Sequence, residues 1–503
     1  MVAITDFILS GNNPYSLGNQ PVYANMYGIL YHLVTYPFSA LFGSGLVVHR
    51  IVTAFCIWGT CHVFYSVTRH YKVPILLGVG TTLVLYKYLL EGTTPYARPD
   101  SLGMFLFLAS IYIPLKQNFS RSSLTVSIVL GILALLTKPY FALSVPFLIS
   151  YLFLFRSKKT AFGYGIASCA SISATLLIVS HFLETYITNI FFVSLNFGSG
   201  TIRRSFQQLG ILFKQDFFLL LIPCIYFGCL VCRACCKSYR LDLKKALINV
   251  KSSFNILGFI KSFTNFNMDI VTFGVIFFTP VFCITLGRHD GNYMVYIYHL
   301  ILPFVYLVIL KVINSQNRSL FVGGSYFLII AHLFLISRPG MLPFPAYPER
   351  QWRQLEELLL QHQNVCNSPA IVSILVGQGK QIADSGLSDV YWSGLHRRGI
   401  WGALFPTPKK FAEGYEGFLQ NTRESIASKK YGLMVLTKGQ FFPSWFVSRE
   451  LVEAHYDYRE TLPAPMPSGN WEVEIWKPKT AEALMKIRGG GPPSILTSEG
   501  GIP

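Results

Sequence analysis

In Tyr96-Ala97-Arg98-Pro99-Asp100 a guanidinium and a carboxylate stand two residues apart, where a polar stretch gives way to a long apolar run. A carboxylate so placed can take a proton from a hydroxyl, and a guanidinium beside it can hold a phosphate. Asp100 is equally suited to capping the helix that follows, because a carboxylate complements the positive helix N-terminus. Capping does not account for Arg98, whose charge is disfavoured at the same helix end. An Arg at this position implies either an orienting ion pair or an anion site beside the carboxylate. Glu91 and Tyr96, in the same polar stretch, are supporting candidates.

Three other polar clusters lie at the edges of apolar runs. His49-Arg50 opens one, and Arg50 there either snorkels to the interface or presents a fork to a phosphate. Lys138 in Thr137-Lys138-Pro139-Tyr140 stands at a second boundary, suited to a lipid phosphate or to snorkelling. Arg288, His289 and Asp290 pack a cation, an imidazole and a carboxylate into three residues, and Gly291 lets the chain turn tightly behind them. None of these has the spacing of a metalloprotease, a P-loop or a serine hydrolase. Cys232-Arg233-Ala234-Cys235-Cys236 lacks a second Cys/His pair at a zinc-site distance. No cofactor is required; a divalent cation, if one takes part, belongs near Asp100 or Asp290.

The elements that carry these clusters are apolar. The 503 residues are 52% hydrophobic and 13% charged, where a soluble domain would be about a quarter charged. The apolar residues come in blocks long enough for about 30 Å of hydrocarbon. They span 46–66, 73–90, 101–116, 122–137, 143–156, 161–182, 217–236, 268–286, 295–311 and 319–337. The fold class expected is an α-helical polytopic membrane protein of about ten transmembrane helices. The net charge of +18 suggests nucleic acid, but the basic residues sit in short loops beside spans, where orientation signals belong.

Those charges alternate. One set of connections carries Arg69, Lys72, Lys116, Arg121, Arg156, Lys158, Lys159, the basic 233–261 loop, Lys311 and Arg318. The other carries Arg50, Arg98, Lys138, Arg203, Arg204, Lys214 and Arg288. The richer set is assigned to the cytoplasm, so all four polar clusters face the other side. Residues 1–45 then form an extracytoplasmic loop with an interfacial helix, expected from Tyr23 to Leu41. An external start with no preceding span leads to the expectation that a first transmembrane helix lies upstream of Met1. The transmembrane domain covers 46–337 and a Pro-rich linker 338–348. A small extracytoplasmic α/β domain covers 349–488, with helices near 349–363 and 410–428 and strands at Ala370–Val376, Tyr431–Thr437 and Trp471–Trp476. Residues 489–503 form a Gly/Pro-rich tail expected to be disordered.

Over about residues 10–340 the chain resembles the GT-C glycosyltransferases, multi-span enzymes that use a polyprenyl-phosphate sugar, such as the aminoarabinose and protein-mannosyl transferases. The resemblance rests on Asn13-Pro14-Tyr15, Asn25-Met26-Tyr27-Gly28-Ile29-Leu30-Tyr31, His49-Arg50, Ala97-Arg98-Pro99-Asp100-Ser101-Leu102 and Thr137-Lys138-Pro139. It implies sugar transfer from a polyprenyl-phosphate donor to a hydroxyl of a glycan, lipid or protein acceptor, at the extracytoplasmic face of the bilayer. A catalytic carboxylate would be Asp100 or Asp6, and the donor phosphate would meet Arg98, Lys138, Arg50 and Arg288. In such enzymes an acidic residue soon after the first span serves the acceptor. Asp6 is the only acid here before Glu91, and its position ahead of Gly11-Asn12-Asn13-Pro14 departs from that pattern. Two other readings stay open: a transporter or flippase, which would place charges within the spans, and a non-catalytic relative that binds a lipid-linked sugar.

Overall fold

The structure, a computed structural model, describes residues 1–93, 98–193, 202–215, 268–284, 295–315, 326–332, 349–383, 409–438, 448–463 and 472–479. It is mostly helical, with one small sheet towards the C-terminus.

Where they are described, the expected apolar blocks are helical, with further helices ahead of and between them. In order they are α1 (Val2–Leu9), α2 (Leu30–Phe42), α3 (Leu46–His70), α4 (Ile75–Thr93), α5 (Asp100–Lys116) and α6 (Arg121–Thr137). A 3-10 turn at Pro139–Leu143 leads into α7 (Ser144–Phe155), and α8 runs over Lys158–Phe182. After them come α9 (Ile202–Gln215), α10 (Ile270–Ile284), α11 (Val295–Leu300) and α12 (Leu302–Ser315). Local chemistry sets several ends. Ser120 and Ser157 cap α6 and α8 by accepting the backbone N–H of Ser123 and Thr160. Asp100 and Lys116 lie in the first and last turns of α5, matching its dipole. The expected block at 295–311 is two helices, parted by a turn at Ile301 just ahead of Pro303. The block expected at 217–236 lies outside the described residues.

Helices α5, α7, α10 and α12 and the turn at Pro139–Leu143 meet through Phe107, Phe147, Phe278, Phe304 and Phe141, whose rings contact edge-on or tilted. Helix α3 buries His49, Thr53, Thr60 and Thr68 among apolar residues such as Val52, Ile57 and Phe64, and it also exposes Val47, Ile51, Phe55 and Trp58, the last 68% exposed. The pattern recurs on α8, where Phe162, Ile166, Leu177 and Phe182 all face outward. Two helices, Leu46–His70 and Lys158–Phe182, are long and apolar enough to cross a membrane; Ile75–Leu90, Arg121–Thr137 and Ile270–Ile284 are shorter apolar helices.

The C-terminal part is an α/β module. Helix α13 (Glu349–Gln361) precedes β1 (Val365–Asn367) and α14 (Val372–Gly377); α15 (Lys409–Ala427), β2 (Leu433–Thr437), α16 (Arg449–His455), β3 (Tyr456–Pro463) and β4 (Glu472–Pro478) follow. The sheet order is β1-β2-β4-β3. Strands β1 and β2 are parallel, joined through α15, and the other pairs are antiparallel. The strand expected at Ala370–Val376 is instead a 3-10 turn and the helix α14. A short continuous apolar run has no period to tell strand from helix, and Pro369 starts a helical turn here. Strands β1 and β3 escape the sequence reading: one is three residues long, and the other is largely polar because it pairs only with β4.

Residues 1–45 differ from the loop with one interfacial helix expected of them. They hold two helices, and the second starts at Leu30 where the sequence suggested Tyr23. Val2 and Ala3 of α1 belong to the same buried core as Leu355, Ile371, Leu375 and Val435 of the α/β module. Ala24 joins Cys366, Met434 and Trp476 in a second core of that module. The N-terminal segment therefore ties the helical bundle to the C-terminal module.

Candidate functional site

Successive helices of the bundle run up and down, so the start of α5, the end of α6 and the turn after α6 meet at one end. Asp100 is fully buried there. Its Oδ1 accepts from Lys138 Nζ at 2.9 Å and from Tyr140 Oη at 2.8 Å. Arg98, two residues away and half-buried, adds its positive field to that carboxylate. Tyr140 Oη also contacts His299 Nδ1, from α11, at 3.0 Å. The tyrosine has a single proton, and the carboxylate can only accept it. The shared hydrogen of the Tyr140–His299 contact therefore comes from Nδ1–H, which leaves Nε2 as an acceptor. Asp100 Oδ2 and His299 Nε2 are both buried, with no hydrogen-bond partner among the described residues. Each of these acceptors would receive a hydroxyl or amine donor well.

Three tyrosines enclose Lys138. Its Nζ lies 5.1 Å from the Tyr27 ring, 5.1 Å from Tyr140 and 5.6 Å from Tyr296. Burial works against the ammonium, but the Asp100 carboxylate outweighs it and holds Lys138 above its ordinary value of 10.5. A raised lysine keeps its full contribution at every pH below the unfolded value and loses it only above. The pair is therefore ionised throughout the neutral range.

The loop after α1 supplies Tyr27 and is itself held by a polar network. Asn25, fully buried, donates through Nδ2 to Tyr15 Oη at 2.7 Å and approaches His32 Nε2 at 3.1 Å. Its Oδ1 accepts the backbone N–H of Tyr27 at 3.1 Å. Tyr15 Oη donates onward to the Tyr27 carbonyl, and His32 Nδ1 reaches Thr5 of α1 at 2.9 Å. The Tyr15 carbonyl accepts from Thr185 N and Oγ1, anchoring the loop beyond α8. Asn25→Leu keeps the volume but strands the His32 nitrogen and the Tyr27 N–H. A destabilisation of about 3 kcal/mol is expected, read as a lower midpoint of denaturant unfolding in detergent.

The sequence candidates fall into three groups. Arg98, Asp100 and Lys138 are brought together. Arg50 is half-buried on α3, one residue after His49, whose ring packs 5.7 Å from Tyr31. Asp6 lies on α1, where its charge acts on Tyr23. Glu91 falls within α4, with its side chain outside the described residues; Tyr96, Arg288, His289 and Asp290 lie outside them altogether. The sequence reading left out Tyr27, Tyr140, Tyr296 and His299. His299 carried a usable signal, since an ionisable side chain inside an apolar run is expensive and rarely idle. Tyr140 sat within the motif that named Lys138.

Lys138, expected from the sequence to meet a phosphate, has the Asp100 carboxylate 2.9 Å from its ammonium. Among the described residues no group of three or more His, Cys, Asp or Glu side chains is placed to hold a metal ion. No protein-family model matches the chain, and no curated protein matches it either.

Proposed function

We propose that the chain is an integral-membrane glycosyltransferase that moves a sugar from a polyprenyl-phosphate donor to an acceptor hydroxyl on the extracytoplasmic side. One observation supports this reading: a fully buried, ionised carboxylate at the end of an apolar bundle, with one oxygen fixed by Lys138 and Tyr140 and the other without a partner among the described residues. A general base needs one oxygen held in place and another open to the hydroxyl, and this arrangement meets that need.

In the reaction the acceptor oxygen bonds to the anomeric carbon and the bond from that carbon to the phosphate oxygen breaks. The leaving phosphate takes the electron pair, and the hydroxyl proton goes to Asp100 Oδ2. Arg98 supplies positive charge for the departing phosphate, and Lys138 contributes at longer range through the shared field. Tyr140 and His299 hold the carboxylate in one orientation. The outward apolar faces of α3 and α8 support a multi-pass arrangement, since exposed stripes of this size are stable against hydrocarbon. The alternation of basic loops supports an external position for the Asp100 end.

The test is turnover by the purified full-length chain in proteoliposomes. The donors are polyprenyl phosphates carrying labelled hexose or pentose, and the acceptors are glycan, lipid and peptide pools. Time-dependent release of polyprenyl phosphate with label moving to one pool is the expected result. Binding of the donor without turnover in any pool would leave a non-catalytic lipid-sugar binder, and movement of intact donor across the bilayer would make it a flippase; either overturns the proposal.

A further inference from the structure

An open trough of about 830 Å³ runs between α7 and α8. Ile149 and Phe153 form one wall, and Phe162, Ile166 and Cys169 the other. Small residues of α8 help to open it: a Cβ at Gly165 would stand 3.6 Å from Ile149 Cδ1, in ordinary contact. From Ala161 to Ser173 the trough follows about 18 Å of helix, slightly more than one leaflet of hydrocarbon. Its lining is almost wholly apolar, and Phe162 and Ile166 are 63% and 70% exposed.

The mouth of the trough is cationic. Arg156, Lys158 and Lys159 follow α7 and open α8, and all three are exposed. The Lys158 ammonium stands 5.5 Å over the ring of Phe153, a wall residue, and Arg156 stands over Phe119 at 5.1 Å. Positive charge is thus held at the rim of an acyl-sized groove, on the side that the alternation of basic loops assigns to the cytoplasm.

We infer that this groove holds a resident anionic phospholipid of the cytoplasmic leaflet, with one acyl chain in the trough and its phosphate at Arg156, Lys158 and Lys159. The inference rests on the membrane-spanning reading but not on sugar transfer. Helix α7 begins next to Tyr140 and carries the cations past its far end, a helix length of about 18 Å away. A phosphate held there is not the one that would react at Asp100.

Native mass spectrometry of the full-length protein, released from micelles containing phosphatidylglycerol and phosphatidylcholine of identical chains, tests this. Phosphatidylglycerol should stay bound in preference. Lys158→Gln with Lys159→Gln should weaken that preference by about fivefold for each charge removed. Both side chains are exposed and their charge opposes the α8 dipole, so the fold does not depend on them. Gly165→Phe should fill the trough and reduce retention of both lipids, leaving turnover of any sugar donor unchanged. Equal retention of the two lipids by the parent chain, or parent-like retention by both variants, overturns the inference. So does loss of phosphatidylglycerol to a competing polyprenyl phosphate with turnover falling in Gly165→Phe, which would make the trough a donor site. If no donor is turned over and phosphatidylglycerol is still retained, the glycosyltransferase reading fails and this one stands.

Discussion

Asp100→Asn should lower sugar transfer by about a thousandfold, within the range for loss of a positioned general base. The change keeps the side chain's shape, so the donor should still bind. It also leaves the Lys138 ammonium buried beside a neutral amide, and breaking one half of a buried pair destabilises by about 3–5 kcal/mol. Lost activity alone would therefore be ambiguous. Combining Asp100→Asn with Lys138→Met removes both charges and relieves the uncompensated cation, so the double variant should regain most of the lost stability. It should remain as inactive as the single variant. Unfolding midpoints and turnover measured on the parent, both single variants and the double variant complete the cycle. Full transfer by a folded Asp100→Asn protein would remove Asp100 from the site. A double variant no more stable than Asp100→Asn would show that the pair does not govern folding.

The second large effect comes from a residue without a side chain. Gly28 lies against the C-terminus of α6, and its N–H donates to the Thr137 carbonyl at 3.0 Å. A Cβ there would stand 1.7 Å from the Leu136 carbonyl oxygen and 2.9 Å from Thr137 N. Those neighbours are backbone and cannot rotate aside. Gly28→Ala must therefore lift the 24–29 loop off α6, breaking that hydrogen bond and moving Tyr27 away from Lys138. We expect a loss of about 3 kcal/mol or more, in the class of strain at a close backbone contact. Turnover should fall with it, because Lys138 and through it Asp100 lose a wall of their enclosure. Unfolding in detergent together with donor turnover reads both effects; an alanine variant with the parent's midpoint and rate would show that the loop does not support the site.

Much of the architecture was legible because its causes are local. Hydropathy over one helix length decides which residues form the bundle helices, so the blocks at 46–66, 101–116 and 122–137 reappear as α3, α5 and α6. The boundary residues Arg98, Asp100 and Lys138 were legible for the same reason, since a charge at the edge of an apolar run needs a partner. The strand expected at Ala370–Val376 was not, because continuous apolarity carries no period. The place of α1 was not either: Val2 and Ala3 read as plain apolar residues, and only packing against α14 explains them.

By itself the chain determined its helices, its basic and less basic ends, and the few charged residues set at helix ends, since these follow from side-chain transfer energies and helix polarity within a single segment. Only the tertiary structure decided that Lys138 turns to Asp100 and that Tyr140 links that carboxylate to His299, 159 positions beyond the tyrosine in sequence. It alone placed the N-terminal helix inside the C-terminal module. The reason is that partners across a bundle are chosen by which helices become neighbours, and neighbourhood depends on the packing of every segment at once.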